Sequence, residues 1–191
     1  MTQSQDWRAW STTLASRLQK YPNNRELLLQ GAFEAEYSGD FTRARASYRM
    51  ILDSGHARPG DYNMYAWLSL FDNSTDEQAV AAAQQDALAS GKNKWQYLHT
   101  LACVHAALGH TTEAHQELLD VMTNGFLSEP NAEVWYGFGR LFEQYGVVDA
   151  AIAAYRKTLQ LYTPLSTPYN LDNPVNVSVL ASARLRALHV N

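Results

Sequence analysis

The sequence predicts an all-α fold: a right-handed α-solenoid of stacked helix–turn–helix units forming one continuous domain over residues 1–191. Composition is the first reason. The chain holds 26 Ala and 23 Leu against 12 Val and Ile combined, and Ala and Leu favour helices whereas β-branched residues favour strands. Long-range periodicity is the second. Ala9, Ala44, Ala79, Ala114 and Ala151 recur at steps of 35, 35, 35 and 37 residues. The turn column Gly39, Ser74, Gly109 and Gly146 keeps that step, as does the column Tyr48, Ala83, Leu118 and Tyr155. Three columns in one register mark a repeated supersecondary unit. Local periodicity is the third: Leu28, Gly31, Ala32 and Ala35 share one helical face, as do Leu98, Leu101, Ala102 and His105, and Trp135, Phe138, Gly139 and Phe142.

The elements follow in order. A leading half-unit occupies residues 6–20, and four helix pairs occupy 25–54, 60–90, 94–124 and 131–162. Between units lie polar or Pro/Gly-bearing breaks, namely Tyr21-Pro22-Asn23-Asn24, Ser54 to Gly60, Ser90-Gly91-Lys92-Asn93 and Asn124 to Asn131. Inside a unit the two helices are split by Ser38-Gly39-Asp40, Leu108-Gly109-His110 or Tyr145-Gly146-Val147. Helix starts have capping-box spacing at Asn23 with Glu26, Thr75 with Gln78 and Asn93 with Gln96. A closing helix spans 174–189, with Asn173 as its cap and Pro174 in its first turn. An open array needs such a cover at its end.

Trp135-x-x-Phe138-Gly139-x-x-Phe142, followed by Gly146 and Ala151-x-x-x-Tyr155, resembles the tetratricopeptide repeat pattern. Gly39-Asp40-Phe41 leading to Ala44 and Tyr48, and Gly109 leading to Ala114 and Leu118, match it less fully. The second unit departs most, with Ser74 at the turn and Asn63 at a place usually bulky. The likeness covers roughly residues 5–162. Tyr97-Leu98-His99-Thr100-Leu101-Ala102 and Glu143-Gln144-Tyr145-Gly146 are also similar to the repeat tails of large bacterial proteins that carry a transglutaminase-like domain upstream. The resemblance implies a scaffold that binds a protein or peptide on its concave groove, lined by the first helix of each pair.

Charge and chemistry exclude several alternatives. The net charge is −4, which is the wrong sign for a phosphate-backbone track, so no nucleic-acid partner is expected. One cysteine, Cys103, leaves no intrachain disulfide and no cysteine-based zinc site. Cys103 and His99 lie one helical turn apart, yet no acid orients the imidazole and no Gly-rich turn supplies oxyanion donors. His105, His110 and His115 step by five, which scatters them around a helix. No enzyme activity, metal or cofactor is expected. No stretch is long and apolar enough for a membrane span, and the start Met-Thr-Gln-Ser-Gln-Asp-Trp lacks the basic and apolar parts of a signal peptide. The expected location is cytoplasmic, or periplasmic or secreted for a fragment of an exported chain.

The groove is expected to be formed by Glu26, Leu29, Phe33 and Glu36 of the first pair and Asp61, Met64, Leu68 and Phe71 of the second, joined by His99, Tyr136, Arg140 and Glu143. Each set repeats at spacings that keep one helical side. Chaperone-binding members of the resembled family need Lys, Arg and Asn in the groove; Leu29, Phe33, Tyr65, Gln96 and Thr100 stand there instead. An apolar centre edged by carboxylates fits a segment with aliphatic or aromatic anchors and basic flanks. Two further readings are a structural, spacer or docking role within a larger polypeptide or homo-oligomer, and a groove covered by the chain's own tail.

Overall fold

The computed structural model describes residues 3–89, 94–125, 127–163 and 174–189. Among these there are ten α-helices and no strand: α1 (Gln3–Lys20), α2 (Arg25–Tyr37), α3 (Phe41–Asp53), α4 (Pro59–Leu68), α5 (Glu77–Ala89), α6 (Lys94–Leu108), α7 (Thr111–Asn124), α8 (Ala132–Gln144), α9 (Val148–Leu161) and α10 (Val177–Ala187). Helices α2 to α9 stack as consecutive antiparallel pairs. α4, α6 and α8 pack on one another in sequence to form one wall, while the second helix of each pair packs outside it.

The repeat columns explain the stacking. Ala44, Ala79, Ala114 and Ala151 are fully buried, so neighbouring helices approach closely there. Tyr48, Leu118 and Tyr155, one turn further on, fill the space beside them and are buried too. Each large buried side chain contributes about 1.5–3 kcal/mol of apolar burial. Two glycines of α8 mark the closest approach. A Cβ on Gly139 would lie 2.5 Å from the Tyr155 ring, and one on Gly137 would lie 2.6 Å from a Leu118 methyl.

Three intra-unit turns close through a glycine in the left-handed region, with φ of 76° at Gly39, 83° at Gly109 and 73° at Gly146. A side chain there is strained, which is why the column is readable. The second unit differs. Its left-handed residue is Asn73 (φ 54°) rather than Ser74, and residues 69–76 replace the short turn used elsewhere. This longer connection is held by its own bonds. Thr75 Oγ1 donates to the Ser69 carbonyl at 3.1 Å, Ser74 N donates to Asp72 at 3.0 Å, and Arg45 reaches across to the Ser74 carbonyl at 2.9 Å.

Helix starts fall near the expected places, with corrections. Asn24, not Asn23, caps α2 by accepting from Leu27 N at 3.0 Å. Asp76, not Thr75, accepts from Ala79 N at 2.8 Å. The Asn93–Gln96 box lies outside the described residues. α10 begins at Val177 and is capped by Asn176, whose Oδ1 accepts from Ser178 N at 3.0 Å and Val179 N at 3.3 Å. Pro174 therefore precedes the helix instead of sitting in its first turn, and Asn173 lies outside the described residues.

Candidate functional site

The wall made by α4, α6 and α8 carries a line of rings. Phe41 of α3 meets Phe71 with centroids 5.0 Å apart, Phe71 meets Trp67 at 5.8 Å, Trp67 meets Tyr136 at 6.5 Å, and Tyr136 meets Tyr155 at 5.9 Å. Phe71 stands in the 69–76 connection rather than on α4, because α4 ends at Leu68. It still turns inward to this line.

The tail crosses the same wall. Trp67 Nε1 donates to the Val175 carbonyl at 3.2 Å, and Val177, Leu180, Ala181 and Leu185 of α10 are buried. Glu143 of α8 accepts from Arg140 at 2.8 Å and from both Nε and Nη2 of Arg184, at 3.2 and 2.8 Å. One carboxylate thus joins the wall to α10 through two guanidiniums. Between α10, the 69–76 connection and α8 remains a cavity of about 610 Å³. Small residues of α10, Ala183 and Ala187, border it and leave its space open. Cavities of several hundred Å³ with apolar walls and a few convergent polar groups are the usual ground for ligand binding.

No family model matches the chain, and no curated protein matches it in sequence. Solved structures do match in shape. A MamA protein superposes with a TM-score of 0.61 at 16% identity, covering 86% of this chain and 91% of that one. A tetratricopeptide repeat protein from Parabacteroides merdae superposes with a TM-score of 0.53 at 15% identity over 88% of this chain. The chain spans 62% of the length of that second protein. The fold is a tetratricopeptide-like repeat array.

Within this array, the predicted groove residues divide into two kinds. Glu26 and Phe33 are exposed, and Leu29, Met64, Phe71, Arg140 and Glu143 are half-buried. Glu36, Asp61, Leu68, His99 and Tyr136 are buried. Asp61 accepts a bidentate pair from Arg25, Nε to Oδ2 at 3.0 Å and Nη2 to Oδ1 at 2.9 Å, and also the Arg58 amide at 2.8 Å, which ties α2 to α4. Arg25 also reaches Glu26 at 3.0 Å. Burial lifts the Glu36 carboxyl to about 7, against the hydrogen bond from Tyr48 that lowers it. Three of the carboxylates expected to steer a basic segment are therefore committed inside the chain or kept near neutrality. Phe33 is grouped instead with Tyr37 at 4.5 Å and Trp7 of α1 at 6.5 Å.

The reactive candidates have ordinary duties. His99 Nε2 donates to the Glu133 carbonyl at 2.8 Å, so it cannot accept the proton of Cys103, whose Sγ lies 3.4 Å away. Burial pushes the Cys103 thiol far up and the His99 imidazole down, which keeps both neutral. His105 pairs with Glu117 at 2.8 Å and His110 with Glu77 at 3.5 Å, so these histidines serve different partners.

Sequence reasoning missed Trp67, while Arg184 and Arg186 were expected only as part of a tail that covers the groove. Trp67 lies beside the predicted stripe, one position before Leu68, and its indole had no visible partner until the tail was placed. Among the described residues no helix is long and apolar enough to cross a membrane.

Proposed function

We propose that this array is a protein-interaction module that takes a segment of another protein in the cavity between the edge of its ring-lined wall and α10. The observation that carries this reading is the cavity itself, about 610 Å³, built jointly by the irregular second unit, α8 and the tail. Glu26 and Phe33 of the expected stripe are exposed and Leu29 and Met64 half-buried, and none of the four lines the cavity. A photo-crosslinking amino acid placed at Phe71 should capture a discrete partner from native extract. The same group at Leu119, which is exposed on the outer helix α7, should not. Identical adducts from both positions, or none from position 71, would remove the reading.

A further inference from the structure

The cavity has a charge opposite to that of the protein around it. Arg140, Arg184 and Arg186 all border it. Glu143 is the carboxylate that meets Arg140 and Arg184, at 2.8 Å each, and Arg186 has no carboxylate partner among the described residues. Among the described residues, three guanidiniums against one carboxylate leave an excess of two positive charges in a chain whose net charge is −4. Facing these groups stand the paired rings of Phe41 and Phe71, with Asn73 beside them on the connection.

Resting on the proposed protein-binding role, we infer that the cavity selects an acidic segment of a partner: a carboxylate beside an aromatic or branched aliphatic side chain. The guanidinium fork matches a carboxylate with two parallel hydrogen bonds. Arg184 gives its Nε and Nη2 to Glu143 and Arg140 its Nη1, so the fork offered to an incoming carboxylate is that of Arg186, which no carboxylate among the described residues meets, with the two paired guanidiniums beside it. The neighbouring side chain of the segment enters against Phe41 and Phe71 and takes the apolar volume left open by Ala183. Asn73 can both donate to and accept from the segment's backbone. This reverses the polarity expected from the sequence, where basic flanks were to meet groove carboxylates. Asp61 and Glu143 are occupied by arginines of the chain itself.

Panning a random dodecapeptide display library against the full chain tests this directly. The enriched peptides should place Asp or Glu within a few residues of Phe, Leu or Ile. A synthetic peptide of that consensus should lose at least about tenfold in affinity with Arg186→Glu, less with Arg186→Lys, and all measurable binding with Ala183→Trp, which fills the cavity. Residues 183 and 186 are exposed, so both variants should keep the wild-type circular dichroism spectrum. Glu133→Gln should bind as wild type. Enrichment of Lys- and Arg-rich peptides, or an acidic peptide indifferent to both Arg186→Glu and Ala183→Trp, overturns the inference. The docking role would still stand if position 71 crosslinks. Failure to enrich any peptide together with absent crosslinks would remove both.

Discussion

At the scale of single residues, Glu36 and Gly139 make opposite kinds of bargain with burial. The Glu36 carboxyl is raised from 4.5 to about 7 because desolvation disfavours its charge. Between those pH values the folded chain keeps a proton that the unfolded chain has released. Its stabilising contribution is thus complete below about pH 4.5 and is lost as pH rises through about 7. The loss is on the order of 2–3 kcal/mol. Glu36→Gln should lack this slope, so the stability difference between variant and wild type should widen from pH 4.5 to 7.5 in urea titrations. A constant difference would contradict the assignment. Gly139 is governed by contact instead. Ala there gains about 1 kcal/mol of helix propensity, but its Cβ would meet the rigid, fully buried Tyr155 ring at 2.5 Å. Overpacking of that kind costs about 1–3 kcal/mol. Gly139→Ala should melt several degrees lower. Gly137→Ala meets chiefly one Leu118 methyl, which can rotate, and should melt near wild type.

At the scale of elements, α10 is held by a cap, a carboxylate bridge and an apolar face, and each can be cut separately. Asn176→Ala removes the acceptor for Ser178 N and Val179 N and should cost about 1 kcal/mol. Amide hydrogen exchange in α10 should then quicken roughly fivefold while α6 and α7 keep their rates. Uniform acceleration across the array would show that α10 does not open by itself. The element level is also where the sequence was most legible. Helix pairs, their order and the three glycine turns could be read because a left-handed φ admits few residues and because buried Ala columns repeat with the unit. The second unit hid its geometry, since Asn73 replaced the glycine and the turn lengthened. Of the site, periodicity told which residues share a face but not which are already partnered. The Arg25–Asp61 pair joins residues 36 apart, and the Arg184–Glu143 pair joins residues 41 apart. Local spacing contains neither.

At the scale of the whole molecule, packing is uneven along the array. α1 has α2 as its main partner, whereas α8 is packed by α6, α7, α9 and α10. In an array of nearest-neighbour contacts, the least supported end opens first. Hydrogen exchange should therefore be fastest in α1, which carries Trp7 and Trp10, and slowest in α6 and α8. Protection of α1 equal to that of α8 would mean that the aromatic group of Trp7, Phe33 and Tyr37 clamps the end more firmly than its burial implies.

The bond from Trp67 to the Val175 carbonyl spans 108 positions of the chain, and this has a consequence for the order in which the protein is made. A simple stack can complete each layer as it leaves the ribosome, because every layer needs only the one before it. Here the ring-lined wall of the second layer waits for a segment synthesised 108 residues later. Until then Trp67 and Phe71 face water, and a nascent chain halted before the tail would present them to whatever chaperone or neighbouring chain arrives first.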